Sequence, residues 1–168
     1  AADRTVAAGL AEGFDAVVVA AGACAARGVR AEGFEEGLAS GDVVYAVDYL
    51  TEQTRALLEG REPAISAAGK DVVVIGGGDT GNDCMGTAVR QGARTVRQLE
   101  YGPCAPEQRA ASNAWPEWPN VKKTDYGQEE AIALQGDDLR EWCADTQRVL
   151  LDSDGRVRGL QVHSLDWS

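Results

Sequence analysis

Lys70-Asp71-Val72-Val73-Val74-Ile75-Gly76-Gly77-Gly78-Asp79-Thr80-Gly81 sets four consecutive β-forming apolar residues directly ahead of a cluster of glycines. A short apolar run of this kind reads as a strand buried on both faces. Gly76, Gly78 and Gly81 then satisfy the spacing G-x-G-x-x-G. The first glycine permits a tight turn, the second lets backbone approach a diphosphate, and the third lets a helix pack on the strand. The sequence predicts that helix to about Gln91, with Gly92 as its stop, and a second strand over Thr95-Val96-Arg97-Gln98-Leu99-Glu100. Strand, helix and strand within about 30 residues make a βαβ unit, whose parallel strands need the crossover. The expectation is an α/β, Rossmann-like dinucleotide-binding domain, with helix N–H groups facing the phosphates. Gly76, Gly77, Gly78, Thr80 and Gly81 are its candidate diphosphate contacts.

Two acids belong to the same motif. Glu100 lies 19 residues after Gly81, at the end of the second strand, where a carboxylate accepts hydrogen bonds from ribose hydroxyls. This favours NAD over NADP, because a 2′-phosphate would meet like charge there. Arg97 and Arg109 are close enough in sequence to offer a counter-charge. Asp79 sits where the phosphates approach, and an anion there is unfavourable unless it turns aside to cap helix N–H groups, which is the role expected of it and of Asp83.

Outward from this unit, Phe14-Asp15-Ala16-Val17-Val18-Val19-Ala20-Ala21-Gly22-Ala23 predicts another strand buried on both faces. Residues 24–42, rich in Gly, Ala and acids, read as a connecting loop and domain boundary. Near-helical spacing of Tyr49, Leu50, Leu57 and Leu58 predicts a helix over residues 46–59, closed by Gly60. Residues 102–121 hold four of the five prolines and two of the four tryptophans, so no regular structure is expected. Trp115 and Trp118 are read as packing residues that pin this loop. A short helix is predicted over 129–135, and a β-hairpin around Asp152-Ser153-Asp154-Gly155. His163 falls in that hairpin without an acidic or nucleophilic neighbour and is read as structural.

Composition narrows the functional classes. The 168 residues carry a formal net charge of −11, which argues against nucleic acid, since phosphate binding needs clustered Lys and Arg. No apolar run approaches the ~20 residues that cross a bilayer, and no signal peptide is evident, so a cytoplasmic location is expected. Cys24, Cys84, Cys104 and Cys143 are scattered, with no CxxC pair and a single histidine, so no metal site is expected. Nor is there a Ser/His/Asp constellation, which suits hydride transfer, where cofactors carry the hard chemistry. The chain opens without Met in the middle of a pattern, and reads as a piece of a longer protein.

The run Gly69 to Cys84 resembles the pyridine-nucleotide segment of the glutamate synthase small (beta) subunit. The resemblance continues through Gln98-Leu99-Glu100, Pro106-Glu107-Gln108-Arg109, Asn113-Ala114-Trp115-Pro116-Glu117-Trp118-Pro119, Asp125-Tyr126-Gly127-Gln128-Glu129-Glu130-Ala131 and Asp154-Gly155-Arg156-Val157-Arg158-Gly159-Leu160. It implies that residues 1–42 are the end of an FAD-binding domain segment with its crossover, that residues 43–168 are the NAD(P)H-binding domain, and that Gly22 and Ala23 border the flavin. It further implies a flavoprotein that takes hydride from NAD(P)H onto FAD, with iron–sulfur clusters bound outside this chain. A large glutamate synthase subunit would be its partner in forming glutamate from glutamine and 2-oxoglutarate. Gln98-Leu99-Glu100 resembles the NADH-using branch. Two other readings stand beside it: a sibling flavoprotein reductase with another acceptor, and a nucleotide-binding module without turnover.

Overall fold

The computed structural model describes residues 10, 12–20, 22, 23 and 25–167. The glycine motif lies where its sequence places it. Strand β1 (Asp71–Ile75) runs into the glycine turn, helix α3 (Gly78–Arg90) follows, and strand β2 (Thr95–Leu99) lies parallel to β1, with Val72 opposite Val96 and Ile75 opposite Leu99. A two-residue strand β3 (Arg140–Glu141) extends the sheet in the order β1-β2-β3, parallel throughout. The core forms on one face of this sheet, where Met85, Ala88, Ala93, Val96, Ala67 and Ala131 pack together with Val72 and Val74 against them.

Two helices precede β1. Helix α1 (Phe34–Ser40) lies between Gly33 and Gly41, both in left-handed conformation. Helix α2 (Ala46–Glu59) ends at left-handed Gly60, whose N–H and that of Arg61 return to Leu57 and Ala56 carbonyls. Gln91, at the far end of α3, binds α2 and the following loop at once. Its Oε1 accepts from Tyr49 Oη at 2.8 Å and from Ala67 N at 2.7 Å, and its Nε2 donates to Gln53 Oε1 at 2.6 Å. Helix α4 (Tyr126–Gln135) is started by a capping box in which Asp125 and Gln128 satisfy each other's backbone, and it packs on α3.

The tail is an antiparallel hairpin of β4 (Ala144–Leu151) and β5 (Val157–Ser164). It joins the parallel sheet through backbone bonds from Ala144 N to Glu100 O and Cys143 N to Gly102 O, both 2.9 Å. Its other end holds the region of α1: Val149 N donates to Glu32 O at 2.7 Å, and Arg156 pairs with Asp42.

Four expectations change. The run 14–23 forms no strand among its described residues, which are irregular and exposed, Val18 at 88%, with Gly22 left-handed. A β-branched run has strand propensity, but a strand needs a neighbour for its backbone groups, and none of the described residues supplies one. Ala21, and Cys24 after it, lie outside the described residues. Strand β1 is buried on one face only, with Val73 and Ile75 at 42% and 41% exposure on the other. The loop 24–42 contains α1, a helix too short to be told by periodicity and fixed by its packing on β4. The helix expected over 129–135 starts earlier, at Tyr126, because the Asp125 cap opens it there.

Candidate functional site

The glycine turn is built as its spacing demands. Gly76 and Gly78 have φ of +106° and +78°, which side chains rarely adopt, and open space lies where their Cβ atoms would project. A Cβ on Gly81 would meet Gly76 O at 2.7 Å, so the third glycine is the close contact of helix with strand. Gly77 serves a different neighbour: a side chain there would run into the Glu100 carboxylate. The acid at the end of β2 therefore lies directly over the turn. Burial pushes the Glu100 carboxyl above the usual range, and nearby Arg140 pulls the other way.

Gly78, Asp79, Asn82 and Glu100 line a cleft of about 360 Å³ together with Trp118, Lys123 and Arg140. Thr80 lies outside it, on a shallower groove with Leu50, Arg55 and Asp83. Gly22 and Ala23 are exposed and line neither. The capping expected of Asp79 is not observed: Gly77 is the cap residue of α3, and no side chain bonds to the cap. With no side chain bonded there, the first N–H groups of α3 can receive an anion. Asp83 accepts a hydrogen bond from Tyr126 Oη instead of capping α3.

The arginines suggested as counter-charges are engaged elsewhere. Arg97 pairs with Glu141. Arg109 donates to Asn113 O and to Glu117 O, the latter at 2.7 Å, inside the proline loop. Trp115 and Trp118 do not pack; they are 84% and 80% exposed. The loop is pinned by polar bonds instead, with the Asn113 side chain reaching Glu117, Trp118 O at 3.1 Å and Asn120 N at 2.7 Å. His163 lies exposed in the hairpin opposite Asp145.

Several residues of the site escape the sequence reading. Gln98 is fully buried; its Nε2 donates to Gly76 O at 3.0 Å and its Oε1 accepts from Gln128 Nε2 at 3.2 Å. Asn82 Oδ1 accepts from Gly127 N at 2.9 Å and Gln128 N at 3.1 Å. This buried polar string ties the glycine turn to the start of α4. The only signal of it in the sequence is a glutamine where the alternation of β2 calls for an apolar residue. Arg140, 6% exposed, donates to the Asp138 carboxylate, to Lys123 O at 2.7 Å and to Thr124 Oγ1 at 2.9 Å, and lies over the Trp142 ring. Lys122 and Lys123 stand 5.4 Å from the Trp142 and Trp118 ring centres.

Among the described residues no group of three or more His, Cys, Asp or Glu converges to hold a metal, and no helix is long and apolar enough to cross a membrane. Cys84 is buried, and its thiol is pushed up to about 11.

These features define an α/β protein whose parallel sheet carries a glycine turn beside a cleft lined by both acidic and basic residues, consistent with a Rossmann-like unit. The chain is a homologue of a segment of the pyridine-nucleotide glutamate synthases and their small chains. It is 42% identical over 158 residues to the NADH glutamate synthase of Schizosaccharomyces pombe, covering 92% of this chain and 7% of that protein. It is 41% identical over 160 residues to the NADPH glutamate synthase small chain of Bacillus subtilis, covering 94% and 32%. It is 40% identical over 159 residues to the corresponding small chain of Mycobacterium tuberculosis strain H37Rv, covering 90% and 30%. The chain thus spans about a third of the bacterial relatives and a small part of the fungal one. No protein-family model matches it.

Proposed function

We propose that this chain is the NADH-binding part of a glutamate synthase small subunit. The diphosphate rests on Gly76, Gly77 and Gly78 and the open N–H groups of α3, that of Thr80 among them, with Gly81 holding helix to strand. Glu100 accepts hydrogen bonds from the ribose hydroxyls. The observation that carries this reading is the juxtaposition of an uncapped helix start, a glycine turn with free space over Gly76 and Gly78, and a carboxylate directly above Gly77. Preference for NADH follows from Glu100, since Arg97 and Arg109 are both committed to other partners.

In the full-length protein, FAD would accept the hydride, and electrons would pass by iron–sulfur clusters to a large subunit that forms glutamate, in the cytoplasm. Gly22 and Ala23 lie in an exposed irregular segment and do not by themselves build a flavin site, so this chain's own part is to bind and orient the nicotinamide donor.

Titration of the full-length protein with NADH and NADPH, followed by bleaching of flavin absorbance, tests the proposal. NADH is expected to bleach the flavin at lower concentration than NADPH, and Gly78→Val to abolish binding of both. A Gly78→Val protein with unchanged affinity would reject the assignment of the turn.

A further inference from the structure

The cleft has one wall whose chemistry the ribose and diphosphate contacts leave unused. Trp118 lines it together with Gly78 and Glu100, yet the residue is 80% exposed. An indole left in water forfeits the burial that large aromatic side chains ordinarily gain.

Its position is nonetheless fixed. Asn113 donates to Trp118 O at 3.1 Å, and accepts from Asn120 N at 2.7 Å two residues on. Arg109 Nη2 donates to Glu117 O at 2.7 Å on the preceding residue, and Lys122 N donates to Pro106 O at 2.9 Å where the loop returns. The loop therefore holds the Trp118 backbone from both sides in sequence while leaving most of the indole surface free. Lys123 stands 5.4 Å from the ring centre, which places a cation beside the same surface. Trp115, three residues earlier, is 84% exposed but lies outside the cleft.

We propose that Trp118 is the shelf on which the adenine ring of the dinucleotide stacks. A flat π-surface presented by a clamped loop suits a purine, because stacking needs no particular pattern of donors and acceptors. The adenine end of a dinucleotide lies beyond the ribose that an acid after the second strand recognises, and Trp118 belongs to the loop that follows Glu100. Lys123, over the indole, supplies positive charge next to the adenosine phosphates. This inference deepens the NADH reading and rests on it.

Affinities of the full-length protein for NADH, for ADP-ribose and for reduced nicotinamide mononucleotide separate the possibilities, since only the first two carry adenine. Trp118→Ala is expected to weaken NADH and ADP-ribose by roughly 5- to 150-fold, the range for loss of one base stack. The mononucleotide should be unaffected. Trp118→Phe should restore most of the loss, and Trp115→Ala should change nothing. Unchanged ADP-ribose binding in Trp118→Ala, alongside normal NADH binding by the wild type, would overturn the stacking role alone. Equal weakening of all three ligands would also overturn it, as general damage to the cleft. A wild-type protein that binds none of them would overturn the NADH reading first, and the shelf with it.

Discussion

Glu100 shows how one residue combines several constraints. Its backbone closes the sheet, with N donating to Glu141 O at 2.7 Å and O accepting from Ala144 N at 2.9 Å, so its side chain is held over the turn. Burial raises its carboxyl above the usual range. Protonation therefore begins at higher pH than for an exposed glutamate, and below that point the group no longer repels a 2′-phosphate. The proposed discrimination against NADPH should be full at pH 8 and relax as pH falls towards the upper edge of the carboxylate range. Glu100→Gln should leave only the pH dependence of the 2′-phosphate's own second ionisation, at about pH 6, and Glu100→Ala should weaken NADH by about 1.5–3 kcal/mol. A ratio of NADPH to NADH affinity that is flat with pH in the wild type would exclude the carboxylate from the choice. Because folding disfavours the charged form here, ionised Glu100 weighs against stability as pH rises through its unfolded value, and Glu100→Gln should be no less stable at neutral pH. At this scale the motif residues were legible because GxGxxG is a steric rule about hydrogen atoms. The engagements of Arg97 and Arg109 were not, since their partners Glu141 and Glu117 are set by tertiary structure and loop closure.

Elements were legible to the degree that their own residues dictate them. Helix α2 has the bounds that its apolar spacing and Gly60 predict, and β1, α3 and β2 follow the glycine motif to within a residue or two. Helix α1 and strand β3 were not, because seven and two residues carry too little periodicity, and both exist through neighbours. The same holds for the contact between β2 and α4, where the Gln98–Gln128 amide bond stands beside one from Val96 N to Gln135 Oε1. Gln98→Leu would keep the volume of β2 but leave Gly76 O and Gln128 Nε2 without these partners. Each buried polar group so orphaned costs about 1–3 kcal/mol. Urea denaturation should register a loss in that range or its double, and ADP-ribose affinity should fall because the turn is no longer braced. A variant of wild-type stability would show that the amide string braces nothing.

Across the molecule, the parallel sheet and the hairpin meet at one joint, where residues 100–102 bond to residues 143 and 144. The misread segment 14–23 belongs to this scale: its composition gives strand propensity, while pairing depends on which strands stand beside it. Arg140 sits next to the joint and gathers Asp138, Lys123 O, Thr124 and Trp142 around a guanidinium that is 6% exposed. It thereby ties together the edge of the sheet, the end of the proline loop and the lining of the cleft. Its hydrogen bonds hold the Asp138 carboxyl below the usual carboxylate range. Stability from this pair is therefore present above the unfolded pKa of an aspartate and is lost as pH falls through the lowered folded value. Arg140→Met keeps the length of the stem but leaves Asp138, Lys123 O and Thr124 Oγ1 without this donor. The expected loss is about 1.5–3 kcal/mol at pH 7, the range for hydrogen bonds to a charged group, because Asp138 keeps 28% of its side chain in solvent. The variant should also lose less additional stability than wild type between pH 5 and pH 3, since the pair that protonation would break is already gone. Denaturant titrations of both proteins across that range test this, and parallel pH profiles would mean that Asp138 and Arg140 are not coupled.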